Sequence, residues 1–297
     1  MQAIEIQSLT RNYGPRRGVE AVNLAVPEGS LFGFLGPNGA GKTTTIRVLL
    51  GFLRPTSGSA RVLGLDCWKD TAPIKAEVGY IPGDLRLYPW MNGRDALSIF
   101  GKVRGRDLAP HGKALADAFS LDLRVKVRRM SKGMRQKLGL ILAMAHKPRI
   151  LILDEPTSGL DPLMQDQLRD ELKRQAAAGH TIFFSSHTLG EVEALCDRVA
   201  IVKDGRIVAD EPLAQLRARA GHRIVIGWRR GGPNPDPPPF LGLTQQTAAR
   251  WEGILEGPVP RLIDWLCGKP VEDLSIGRPD LESLFRRFYE PAAEAPK

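Results

Sequence analysis

Cysteine is scarce in this chain. Cys67, Cys196 and Cys267 stand far apart, odd in number and without a CxxC pair, which excludes a disulfide framework or a zinc-knuckle spacing and suits a reducing cytosol. Long apolar runs are missing as well: the longest, residues 138–145, falls well short of the roughly 18 residues that a bilayer-spanning helix needs. The start, MQAIEIQSLTRNYG, has neither a charged n-region nor an apolar h-region, so the chain is expected to be neither secreted nor membrane-spanning by itself. Compositional bias is also absent. With 42% hydrophobic and 25% charged residues the composition is globular, which excludes disorder and a collagenous fibre. At 297 residues the chain exceeds one small core and predicts two domains, the first larger.

What is present is positive charge, unevenly placed. Lys and Arg number 42 against 33 Asp and Glu, a net +9, yet residues 221–297 hold 10 of each sign and are neutral. Residues 84–147 carry 14 basic and 5 acidic side chains, 14 − 5 = +9. Such a segment meets nucleic-acid phosphates, anionic lipid heads or an acidic partner, or is simply a solvated helical surface, and charge alone does not choose among these.

Strand-like alternation opens the chain at residues 3–7, followed by a β-rich stretch over 19–26 and a wholly apolar strand over 31–35. A helix is predicted from 42 to about 52, strands at 60–63 and 78–81, and helices with basic faces across 92–147. Thereafter β and α alternate: ILILD, helix 162–177, TIFFSSH, helix 188–195 and RVAIVKDGRIVAD. Strands at both ends of a helical insert imply an α/β core. Residues 221–297 hold 11 of the 23 prolines, including a run over 233–239 that breaks regular structure, and read as a small separate α+β domain with a strand at 223–228 and helices at 259–267 and 280–289.

Gly36-Pro37-Asn38-Gly39-Ala40-Gly41-Lys42-Thr43 matches G-x-x-x-x-G-K-[ST] between an apolar strand and a helix, the context this motif requires. Its glycines let successive N–H groups turn inward to cradle a β-phosphate. Lys42 supplies a point charge for the β- and γ-phosphates, and the Thr43 hydroxyl suits Mg²⁺. Further on, an apolar strand ends in Asp154-Glu155. Adjacent acids at such a mouth repel unless a cation or a transferable proton justifies them. Asp154 is read as a metal partner, mainly through water, and Glu155 as the group that orients and polarises an attacking water.

With Met130-Ser131-Lys132-Gly133-Met134-Arg135-Gln136, Ser158-Gly159-Leu160-Asp161 and His187 after TIFFSS, the chain resembles the ATP-binding subunit (nucleotide-binding domain) of a prokaryotic ABC transporter over roughly residues 1–215. The fold this implies is α/β: a P-loop NTPase, ABC-type ATPase core with an N-terminal β subdomain and a helical insert, plus a small α+β C-terminal domain. The ATP-binding domain would span 1–220, its helical subdomain about 84–147, and the accessory domain 221–297. By the resemblance, ATP with Mg²⁺ lies between Gly36, Pro37, Asn38, Gly39, Ala40, Gly41, Lys42, Thr43 and Thr44 of one subunit and Ser131 with Gly133 of a second copy. Asp161 crosses the interface, and Tyr13 stands where the family stacks an aromatic on adenine, although a Tyr beside Gly14 is also plain packing. His187 is the switch histidine that senses the γ-phosphate, or else a histidine satisfied by nearby backbone. Lys42, Glu155 and His187 form the expected catalytic set.

One position departs from the family. After Val78-Gly79-Tyr80-Ile81-Pro82 the family has Gln or Glu, and here stands Gly83; the adjacent Asp84 is taken as a candidate metal ligand in its place, beside Thr43 and Asp154. The segment Pro279-Asp280-Leu281-Glu282-Ser283-Leu284-Phe285 is similar to the tail of drug-resistance-type subunits, and Leu281, Leu284, Phe285 and Phe288 make a helical stripe that buries in its own domain or at an interface. The resemblance implies a homodimeric ATPase, peripheral at the cytoplasmic face of the membrane, energising export by a separate transmembrane permease, with no nucleic acid as partner. The alternative class is a soluble ABC ATPase acting on nucleic acid or ribosomes. A guanine-nucleotide switch is excluded, because no Asn is followed by Lys and the guanine-reading N-K-x-D is therefore missing.

Overall fold

The computed structural model describes residues 1–14, 16–229, 235–279, 281 and 285. They fall into two compact units, Met1–Glu211 and Pro212–Lys297. In chain order the first holds β1 (Gln2–Tyr13), β2 (Arg16–Pro27), β3 (Leu31–Leu35), α1 (Lys42–Leu49), β4 (Ser57–Val62), β5 (Leu65–Asp66), α2 (Thr71–Glu77) and β6 (Val78–Ile81). Then come α3 (Gly93–Arg104), α4 (Ala109–Ala118), α5 (Lys132–Met144), β7 (Ile150–Asp154), α6 (Pro162–Ala177), β8 (Thr181–Ser186), α7 (Leu189–Leu195), β9 (Arg198–Lys203) and β10 (Arg206–Pro212).

Two sheets organise this unit. β2-β1-β4-β5 is antiparallel, and β10-β9-β3-β8-β7-β6 has a parallel centre. The central strands β3, β7 and β8 are buried along their whole length, which is why they read as unbroken apolar runs rather than as alternation. One core cluster joins the sheets through α1: Ile4, Ile6 and Leu9 meet Phe32, Phe34, Ile46, Leu49, Ile152 and Phe183. The Phe183 ring stacks on Phe32 with centroids 6.0 Å apart. β1 is longer than its alternation suggests, because register shifts with Ser8 and Ala21 at positive φ carry the pairing past the regular stretch.

The second unit contains α8 (Leu213–Arg219), β11 (His222–Trp228), β12 (Leu241–Gln246), β13 (Arg250–Leu255), α9 (Val259–Leu266) and β14 (Val271–Pro279). Its antiparallel sheet has the order β12-β13-β11-β14. Ile224, Ile226, Leu255 and Leu262 pack around Trp228 and Trp251, whose rings meet edge to face at 4.9 Å, with Trp265 beside both. The division at Glu211 lies a few residues ahead of the expected boundary at 220, since α8 clusters with the second unit. Residues 235–239 have no regular structure, in keeping with their prolines. Of the C-terminal stripe, Leu281 and Phe285 are buried, while Leu284 and Phe288 lie outside the described residues. Cys67 and Cys196 are buried and Cys267 is exposed. Among the described residues no helix is long and apolar enough to cross a membrane.

Candidate active site

The phosphate loop leaves β3 and enters α1. Gly41, at φ +105°, caps the helix, where an added Cβ would lie 2.6 Å from Val19 and 2.9 Å from the Gly18 carbonyl; no side chain caps the N-terminus and its first turn holds no acid. The first-turn N–H groups and the positive end of the helix are thus left for an anion. Gly36 is pinned from below: its N–H donates to Ser186 O at 3.2 Å, and a Cβ there would come within 2.4 Å of the Val202 carbonyl. Pro37, Asn38 and Gly39 form the exposed rim, while Ala40 is buried.

Lys42 is almost fully buried, and its ammonium donates to Gly36 O at 2.6 Å and Pro37 O at 3.2 Å. It also stands 3.4 Å from Glu155 Oε1. The same carboxylate oxygen lies 3.3 Å from His187 Nδ1, on a half-exposed side chain, so Glu155 links the phosphate loop to the residue that follows β8. Glu155 itself has φ +50° and is held by its N–H, which donates to Ser185 O at 3.0 Å. Beside it, Asp154 is buried with both oxygens engaged: Thr43 Oγ1 donates to Oδ2 at 2.8 Å and Ser185 Oγ to Oδ1 at 2.9 Å. Burial and the negative charge of Asp154 push the Tyr80 phenol up to about 12. The sequence signal for Ser185 is the polar pair that closes the apolar strand TIFFSS.

Tyr13 reaches the far end of the loop, its hydroxyl 3.4 Å from Thr44 Oγ1. Its ring is 40% exposed, lies against Gly18 and has the Arg11 guanidinium 5.2 Å from its centroid. Among the described residues, Ser131, Gly133 and Asp161 make no hydrogen bond to the loop. Ser131 caps α5 by accepting from Met134 N at 3.2 Å, and Asp161 caps α6 by accepting from Met164 N at 2.9 Å. Gly133 lies in the first turn of α5, facing the Gly159 carbonyl.

Asp84 requires a correction. Position 83, not 84, faces the Asp154 carboxylate: a Cβ on Gly83 would lie 3.9 Å from Asp154 Oδ2. The next side chain leaves for solvent, where Asp84 is 77% exposed and pairs with Arg86 at 2.9 Å. In this structure Asp84 therefore faces solvent and Arg86 rather than the Asp154 carboxylate.

The ABC transporter family model matches residues 19–158, which take in the loop, the acid pair and the turn that starts α5. The daunorubicin resistance ATP-binding protein DrrA3 of Streptomyces coeruleorubidus is 31% identical over 95% of this chain and 94% of its own length. The chain belongs to the ABC transporter family. The bacitracin transport ATP-binding protein BcrA of Bacillus licheniformis is 38% identical over 73% of this chain and 72% of its own. A solved ATP-binding subunit of an ABC transporter superposes with a TM-score of 0.67 at 30% identity, covering 72% of this chain and 92% of that one. As an ABC ATP-binding subunit the chain is an ATPase.

Proposed function

We propose that this ABC ATPase energises export of a small or hydrophobic compound by a separate membrane permease, working as a homodimer at the cytoplasmic face of the membrane. The observation that carries the catalytic part is that one oxygen of Glu155 lies within 3.4 Å of both Lys42 and His187 beside the phosphate loop. Lys42 exchanges the carbonyls of Gly36 and Pro37 for phosphate oxygens, with Tyr13 against the base and residues 36–44 around the phosphates. Glu155, released from that ammonium, accepts a hydrogen bond from the attacking water and polarises it. His187, tied to Glu155, senses the γ-phosphate. The hydroxyl of Thr43 and the carboxylate of Asp154, already in contact, are hard oxygen donors of the kind Mg²⁺ prefers. Bound there, Mg²⁺ would neutralise phosphate charge.

Ser131 and Gly133 start a helix whose positive end suits the γ-phosphate of a second copy's ATP, and Asp161 stands at the head of the neighbouring α6. ATP held between two copies joins them, and its hydrolysis releases them. The basic insert at 84–147 suits a permease and anionic lipid heads. It exposes Tyr88 and Trp90, ring centroids 5.8 Å apart, just past Gly83. Residues 1–220 are read as the ATP-binding domain and 221–297 as an accessory domain. Relatives named for daunorubicin resistance and bacitracin transport support export and do not favour a nucleic-acid or ribosome ATPase.

Glu155→Gln tests the reading. It is expected to lower turnover about 10²- to 10⁴-fold while allowing an ATP-dependent dimer visible by size-exclusion chromatography. A variant that hydrolyses at the wild-type rate, or stays monomeric with trapped ATP, would contradict it.

A further inference from the structure

Helix α5 begins with a cation where helix electrostatics favour an anion. Lys132 is its first residue, just after the Ser131 cap, and the first turn holds no acid, so its charge is disfavoured by the dipole. Among the described residues no carboxylate pairs with its ammonium. Nζ donates instead to Ser158 Oγ at 3.0 Å. The methylenes of Lys132 cover Gly159, where an added Cβ would come within 2.8–3.1 Å of three of its carbons on a backbone already at φ +81°. A hydroxyl at 158 and a missing side chain at 159 thus form a seat for this lysine. Two more contacts lie alongside: Gln136 Nε2 donates to Pro156 O at 2.9 Å, and a Cβ on Gly133 would lie 3.1 Å from Gly159 O.

We propose that Lys132 is a positioning residue that fastens the first turn of α5, with Ser131 and Gly133, to the loop that leads from Glu155 into Asp161. The groups that one subunit presents to its partner's nucleotide then approach as a single plate rather than as two independent segments. The fastening is a property of one chain; its consequence for ATP rests on the sandwich reading above. The loop amides of Ser158 and Leu160, bonded to Glu155 O and Thr157 O, report the fastening directly.

Hydrogen exchange over residues 157–161 of the nucleotide-free protein should quicken about two- to fivefold in Lys132→Met, which keeps the stem and loses the donor, and equally in Ser158→Ala. The double variant should be no faster than either single one, and Lys132→Arg should retain protection. In the Glu155→Gln background the same variants should raise the ATP concentration for half-maximal dimer formation by a similar factor. Unchanged exchange in Lys132→Met overturns the proposal. So does a Lys132→Met that weakens dimerisation while Ser158→Ala is silent, since Lys132 would then act on phosphate directly. If Glu155→Gln forms no ATP-dependent dimer, the sandwich reading fails, and the exchange measurement alone still decides the fastening.

Discussion

Asp154 has no freedom left: Thr43 holds one carboxylate oxygen from the start of α1, and Ser185 holds the other from the end of β8. A buried carboxylate that loses one of two donors keeps its desolvation cost without the compensation. Ser185→Ala is therefore expected to destabilise the first unit by about 1–3 kcal/mol, read by urea denaturation, and to raise the Mg²⁺ concentration needed for half-maximal hydrolysis. No change in either would mean that Thr43 alone sets the orientation of Asp154. At the same scale Gly83 leaves an opening beside Asp154 that the exposed Asp84 does not fill.

At the scale of elements, the junction of α5 with β6 carries a pH response. His146 follows α5, 5% exposed, with Nε2 3.3 Å from Val78 O. Burial, aided by the charges of Arg104 and Arg106, lowers its pKa from 6.5 to about 4. Between those values the unfolded chain binds a proton that the folded chain refuses, so stability is full above about pH 6.5 and falls as the pH drops toward 4. Wild type should lose about 1–3 kcal/mol more than His146→Gln between pH 7.5 and 4.5 in urea titrations, and parallel curves would refute this. Elements of this kind differed in how far they could be read in advance. The runs LFGFL, ILILD and TIFFSS were legible because full burial leaves strands wholly apolar, and α6 because its Asp161 cap and Pro162 mark its start. β12 and β14 were not, since they expose much of their length and are interrupted by glycine and polar residues, nor was β13, whose buried face includes Gly253 and so breaks the apolar alternation. The side on which Asp84 leaves β6, and the meeting of Lys132 with Ser158 across 26 positions, depend on packing that no local pattern encodes.

For the whole molecule, each unit has a core of its own, and the tryptophans divide usefully. Trp68 and Trp90 in the first unit are exposed, whereas Trp228 and Trp251 in the second are almost completely buried. Indole emission should therefore follow unfolding of the second unit, and loss of ATP binding that of the first. ATP at about 100 times its Kd should stabilise the first transition by about 2.7 kcal/mol and leave the emission transition in place; a single transition that shifts as one would show that the units unfold together. The thiols are divided in a similar way. Burial pushes Cys67 up to about 12 and raises Cys196 as well, so neither is a ready nucleophile at neutral pH, and Cys267 is the single exposed thiol. A maleimide dye would then mark each chain once, outside the phosphate loop and the α5 turn. Mixing donor-labelled and acceptor-labelled batches of the unaltered sequence would turn the meeting of two copies into an energy-transfer signal, followed in time through a cycle of ATP addition and consumption.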